Sequence, residues 1–255
     1  MTQKLIVERH ERIVTITLNR PPLNILDLDT LAELRHQFEL LDRDEDLAAV
    51  VLRGAGGKAF SAGVAVEDHT RELVPTMLED FHGAIRCLRR LHAVSVAVVH
   101  GHCLGGGMEL AAGCDIVLAT DDSRFAQPEI ELGCIPPLAT ALYPKLLGPA
   151  KTFDLLITGR SMDCSEAERS GFVSRKVRAA ELDTELERLL DQIHQKSLPV
   201  LKLLKRAIQA GRDHSFGEAL AESERLYLEE LIETQDMHEG LTAFLEKRLP
   251  SWNHK

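Results

Sequence analysis

Three short runs, "AAVVLRG" at 48–54, "VSVAVV" at 94–99 and "DIVLAT" at 115–120, are apolar almost without interruption and carry no helical period. Runs of this length read as strands buried on both faces. Between them lie segments of helical spacing: Leu31, Leu34, Phe38 and Leu41 behind a candidate N-cap at Asp29, a stretch near 77–91, and a short one from about 105 to 113. Ahead of all these, "RIVTITLN" at 12–19 sets Ile13, Thr15 and Thr17 against Val14, Ile16 and Leu18, the period of a strand. Strands alternating with helices imply a parallel sheet with helices packed outside it, an α/β fold. Beyond about residue 181 only helical periodicity remains, and Ser197 to Pro199 form a hinge into that part. The expected organisation is a core over 1–196 and a helical region over 197–255.

The 255 residues are 44% hydrophobic, enough for a substantial core. The charged N-terminus reads as neither a secretory signal nor a transit peptide, and no apolar run is long enough to span a bilayer. Five cysteines without a C-x-x-C pair speak against a disulfide framework and for a reducing compartment, so a soluble cytoplasmic protein is expected. A net charge of -10 repels nucleic acid and anionic membrane, and any anionic ligand must be held by local dipoles or lysines.

The stretch "GHCLGGGMEL" at 101–110 sets three glycines between a buried strand and a helix. Such a turn permits positive φ and close approach, and the helix that follows offers free N–H groups and a positive dipole end, which together suit an anion. It is neither a Walker A loop nor G-x-G-x-x-G. Glu109 lies in that helix among Leu104, Met108, Leu110, Ala111 and Ala112, where solvation would be poor and its pKa raised. Glu129, in "FAQPEIELG", supplies a second carboxylate twenty residues on. Two carboxylates near a backbone anion site suit chemistry passing through an enolate.

These segments, with "NRPPLN" at 19–24, "FSAGVAVED" at 60–68 and "EGLTAFLEKRLP" at 239–250, resemble the crotonase (enoyl-CoA hydratase/isomerase) superfamily in order along the whole chain. The resemblance implies a spiral of β-β-α turns and a C-terminal helical region that builds trimers, often stacked as hexamers. It implies an acyl-CoA thioester substrate, with coenzyme A as part of that substrate and no other cofactor. The thioester oxygen would sit between the N–H groups of Val64 and Gly106, and Glu109 and Glu129 fall on the two catalytic glutamates of hydratases. Ala62 and Val64 would meet the CoA adenine and pantetheine, and Phe244 and Lys247 would close over CoA, often from a neighbouring subunit. For hydration, an ionised Glu109 would take the proton of the attacking water and a protonated Glu129 would supply the α-carbon.

The chain departs from the family after the second glutamate. It reads "GCIPPLATAL", with Pro137, Ala139 and Thr140 where hydratases of the common type carry glycines, and Ala65 where a common aspartate stands. Pro136–Pro137, Leu138 and His69 are therefore candidate walls of the acyl pocket. In this respect the chain is similar to hydratases of alicyclic dienoyl-CoA or 3-methylglutaconyl-CoA. A decarboxylase or a Δ3,Δ2-enoyl-CoA isomerase is the alternative within the fold, and an RNA-binding homologue is disfavoured by charge. No metal site is expected. His100 and His102 would point the same way from one strand, but no second ligand pair follows them or Cys103. Lys202, Lys205 and Arg206 could meet CoA phosphates or simply form a solvated basic face.

Overall fold

The computed structural model describes residues 3–255. Its core is a unit of two strands and a helix, used repeatedly. In the first, β3 (Ala49–Gly54) is followed by β4 (Ala59–Ser61) and α2 (Val74–Arg90). In the second, β5 (Val94–Val99) is followed by β6 (His102–Leu104) and α3 (Gly106–Gly113). In the third, β7 (Ile116–Thr120) and β8 (Arg124–Ala126) lead through a 3-10 turn at Pro128–Leu132 to α4 (Pro137–Leu146). The first strand of each unit joins one sheet and the second joins another, with parallel pairing of β3 to β5 to β7 and of β4 to β6 to β8. The chain thus winds as the expected β-β-α spiral.

The larger sheet begins with β1 (Leu5–His10), antiparallel to β2 (Ile13–Leu18), and β2 runs parallel to β3. It ends with β10 (Arg175–Val177) beside β7, while β9 (Ser161–Asp163) closes the smaller sheet. Strand β1 and the whole second sheet were not legible as strands. The strands of that sheet are three residues long, too short to display a period. His100 and His102 do not share a strand, because β5 ends at Val99 and β6 begins at His102. No cluster of three metal-ligating side chains occurs among the described residues.

Period-2 geometry assigns the apolar strands to two cores. Val50 and Leu52 of β3 join the cluster that includes Phe60, Cys103 and Phe125 of the smaller sheet. Val51 points the opposite way and packs with Val96, Val98 and Leu118 beneath Leu182, Leu186, Leu189 and Ile193 of the C-terminal half. Helix α1 (Leu28–Leu41) buries Leu31, Leu34, Phe38 and Leu41 as the spacing predicts. Its N-cap is Asp27 rather than Asp29: the Asp27 carboxylate accepts from the Thr30 N–H at 3.0 Å and the Thr30 hydroxyl at 2.6 Å, leaving Asp29 in the first turn. Two helices, α5 (Pro149–Thr158) and α6 (Cys164–Arg169), follow the third unit.

The remainder is helical, in α7 (Leu182–His194), α8 (Leu198–Asp213), α9 (Phe216–Arg225) and α10 (Gln235–Glu246). Ser197 caps α8, accepting from the Val200 N–H at 3.4 Å, and Pro199 occupies its first turn. No helix among the described residues is long and apolar enough to cross a membrane.

Lys205, expected on a basic surface, is buried instead. Its Nζ donates to the Ala93 carbonyl at 2.6 Å and pairs with Asp115 Oδ2 at 2.7 Å. The same oxygen accepts from Ser95 N and Oγ, each at 2.8 Å. One lysine therefore joins α8 to the loops flanking β5 and β7. Lys202 and Arg206 pair with Glu45 and Glu230 at the surface. Lys205→Met should destabilise the chain by about 3 kcal/mol, because it strands a largely buried carboxylate, and Lys205→Met/Asp115→Asn should recover part of that loss. Chemical denaturation measures both, and an unchanged single variant would show that the pair does not hold α8 in place.

Candidate active site

A cleft of about 560 Å³ opens between residues 62–69, helix α2, the N-terminus of α3 and the segment 128–137. Apolar side chains, among them Val66, Val74, Met77, Phe81 and Leu132, form most of its wall. Glu109 and Glu129 enter it from α3 and from the 3-10 turn.

The glycine triplet is explained by how closely other chain segments pass it. Gly105 caps α3 with φ +51°, a left-handed conformation that disfavours a side chain, and a β-carbon there would lie 2.8 Å from Glu129 Oε1. At Gly106 a β-carbon would lie 2.7 Å from Val64 Cγ2 and 3.3 Å from Val64 N. That proximity sets the first N–H of α3 beside the N–H of Val64. The segment carrying Val64 is held in register by Leu26 N–H to Gly63 O at 2.9 Å and Ala65 N–H to Leu26 O at 3.0 Å. Neither the Val64 nor the Gly106 N–H meets an acceptor among the described residues. The cleft thus has two unused donors side by side, at the positive end of a helix.

Glu109 is 4% exposed. Its Oε1 accepts from the Ala139 N–H at 2.8 Å. Ala139 is the third residue of α4, whose N-cap, Pro136, has no side chain that can serve it. Glu109 therefore caps α4 from another helix. Pro137 is the first residue of α4, where its missing N–H costs nothing. The altered "PPLAT" stretch keeps a helix start next to the carboxylate, and Pro136 and Pro137 line the cleft.

Burial pushes Glu109 up from 4.5 to about 8, with the neighbouring Glu129 charge adding to the rise and the Ala139 N–H opposing it. Glu129 is raised too, by burial first, against hydrogen bonds that include one from Gln127 and the nearby His69. Burial of both groups therefore favours a proton held by the pair near neutral pH. His69 lines the cleft, and its Nδ1 donates to the Ala65 carbonyl at 3.0 Å.

The structure brings Ala62, Val64, His69, Gly106, Glu109, Glu129 and Pro137 together on the cleft. Leu138 instead packs against the main core, with only its backbone near Glu109. Phe244, 81% exposed on α10, and Lys247, which ends that helix with φ +56°, lie outside this chain's own cleft. Two buried polar residues beside the site, Gln127 and Tyr143, were missed, because nothing in their local sequence separates them from core residues.

A profile of the enoyl-CoA hydratase/isomerase family matches residues 8–255. A Mycobacterium bovis protein named "Probable enoyl-CoA hydratase echA8" is 37% identical over 99% of each chain. The cyclohexa-1,5-dienecarbonyl-CoA hydratase of Thauera aromatica is 35% identical over 99% of this chain and 97% of its own. The crystal structure of an enoyl-CoA hydratase from Bacillus anthracis superposes with a TM-score of 0.94 at 29% identity, covering 99% of this chain and 100% of the other. With the spiral, the paired donors and the two glutamates on one cleft, these likenesses show that the chain belongs to the enoyl-CoA hydratase/isomerase family, the crotonase superfamily.

Proposed function

We propose that the protein reversibly adds water across the double bond of an α,β-unsaturated acyl-CoA. The observation that carries this reading is the convergence of two carboxylates, Glu109 buried and Glu129 half-buried, and two unused N–H donors on a single apolar cleft. A conjugated thioester resists attack by water because charge must pass onto its carbonyl oxygen. Donors at Val64 and Gly106 can each contribute roughly 3 kcal/mol to an enolate oxygen held between them. Glu109 accepts a proton as water attacks the β-carbon, and Glu129 delivers one to the α-carbon. In dehydration the same groups exchange roles.

Both directions need the pair to hold one proton between them. Hydration starts from the form in which Glu129 carries that proton and Glu109 is ionised, and dehydration from the opposite form. The addition of water changes no overall oxidation state and requires no redox cofactor. Coenzyme A enters with the substrate.

For the acyl group we favour a branched or alicyclic chain. Pro136 and Pro137 stiffen the wall beside the carboxylates, and the Thauera relative at 35% identity is named for a cyclic dienoyl thioester. We further propose that α9 and α10 build a trimer. Phe216, Leu228, Phe244, Leu245 and Leu249 are large apolar residues more than half exposed on or beside these helices. Phe244 and Lys247 would then close over CoA in a neighbour's cleft.

Incubating the protein with crotonyl-, 3-methylglutaconyl- and cyclohexadienecarbonyl-CoA, followed by mass spectrometry, should show a gain of one water. Loss of carbon dioxide would instead identify a decarboxylase, and unchanged mass an isomerase or a binder. Glu109→Gln and Glu129→Gln should each lower kcat at least about 100-fold with little change in thioester binding, and near-normal turnover would remove that residue from the mechanism.

kcat/KM should fall above about pH 8, where the pair loses its last proton. Stability gives a separate readout of Glu109. Its folded pKa lies above its unfolded value, so its contribution is complete below about pH 4.5 and is lost as pH rises to about 8. The melting temperature of Glu109→Gln, minus that of the wild type, should grow across this window and level off above it. A constant difference would show that Glu109 titrates normally.

A further inference from the structure

Glu129 does not stand alone beneath the cleft. The hydroxyl of Tyr143, on α4, donates to Gln127 Oε1 at 2.9 Å, and Gln127 Nε2 donates to Glu129 Oε1 at 3.0 Å. Tyr143 is fully buried and Gln127 is 1% exposed, so neither finds water as a substitute partner. The Tyr143 ring is held edge-on to Phe172, with centroids 6.2 Å apart. Glu129 Oε2 is buried and has no hydrogen-bond partner among the described residues.

The direction of this chain follows from its groups. A phenol is a donor that burial keeps protonated, and here it lies near two carboxylates that reinforce the effect. It therefore donates, and the atom of Gln127 that faces it must be the carbonyl oxygen. The amide nitrogen is left facing Glu129. Turning the amide over would set its oxygen against a carboxyl oxygen and its N–H groups against the phenol's own donor. The hydroxyl thus fixes the amide, and the amide fixes which oxygen of Glu129 is occupied.

We propose that Tyr143 and Gln127 are positioning residues for Glu129, holding Oε1 by a directed hydrogen bond so that the carboxyl keeps one orientation as it gives and takes the substrate α-proton. The chemical role rests on the hydratase reading above, but the orientation of the carboxyl does not. The hydrogen bond from Gln127 also favours the ionised form of Glu129 against its burial, and polarisation by the Tyr143 hydroxyl strengthens it. The other titratable groups facing Glu129 are Glu109 from α3 and His69 from the turn at Val66–His69.

The test uses the full chain with Tyr143→Phe, Gln127→Leu and the double variant. Tyr143→Phe keeps the ring and removes only the hydroxyl. It should lower kcat for crotonyl-CoA hydration about ten-fold, a fraction of what a general acid supplies, with KM unchanged. Because Tyr143 acts through Gln127, the double variant should be no slower than Gln127→Leu. Independently of turnover, carboxyl carbon-13 NMR, with the Glu129 signal assigned by its loss in Glu129→Gln, should show Glu129 titrating at higher pH in Tyr143→Phe than in wild type.

Wild-type kcat with an unmoved Glu129 titration in Tyr143→Phe would overturn the proposal, as would effects on kcat that add in the double variant. If the wild type hydrates none of the thioesters, the hydratase reading fails while the NMR titration still decides the relay. If Gln127→Leu does not fold, Tyr143→Phe and its titration decide it alone.

Discussion

The hydrogen bond from the Ala139 N–H to Glu109 meets two needs at once. Helix α4 begins with two prolines and has no side chain of its own to cap it, so its third N–H would otherwise be buried without a partner. Glu109, packed among apolar residues, would be a carboxylate with no donor. Joining them fixes the position of α4, and with it the Pro136–Pro137 wall and the Tyr143 side chain that reaches Gln127. The bond opposes the rise in the Glu109 pKa without cancelling it, so the group remains able to carry a proton near neutrality.

The rest of the site follows from the winding of the chain. Each β-β-α unit returns the chain one strand further along both sheets. The segment after β4, the start of α3 and the turn after β8 therefore stack at one end of the smaller sheet. Those are the places where Val64, Gly106 and Glu129 reside. Parallel strands need long crossovers, and here the crossovers are where the chemistry-bearing residues sit. The glycines at 105 and 106 are required because neighbouring turns of the spiral pass within van der Waals distance of the backbone.

Several features were open to reading because they are local. The apolar strands of the larger sheet, the helical stripe of α1 and the glycine turn each leave a mark within a dozen residues. Glu109 was conspicuous as a carboxylate in an apolar helix. The three-residue strands were not legible, since their pairing is made by distant partners. Asp29 and Asp27 are equally plausible caps by sequence, and only the bond to Thr30 separates them. Lys205 looked like a surface residue until α8 placed it against Asp115 and the Ala93 carbonyl.

The sequence alone determined the class of fold, the family and the two carboxylates, because periodicity, turn chemistry and short motifs are properties of neighbouring residues. The tertiary structure decided that burial raises both carboxyls, what caps α4, and that Tyr143 and Gln127 stand behind Glu129. Each of these depends on burial and on hydrogen bonds between residues brought together from different turns of the spiral. Desolvation and donor geometry exist only once those turns are stacked.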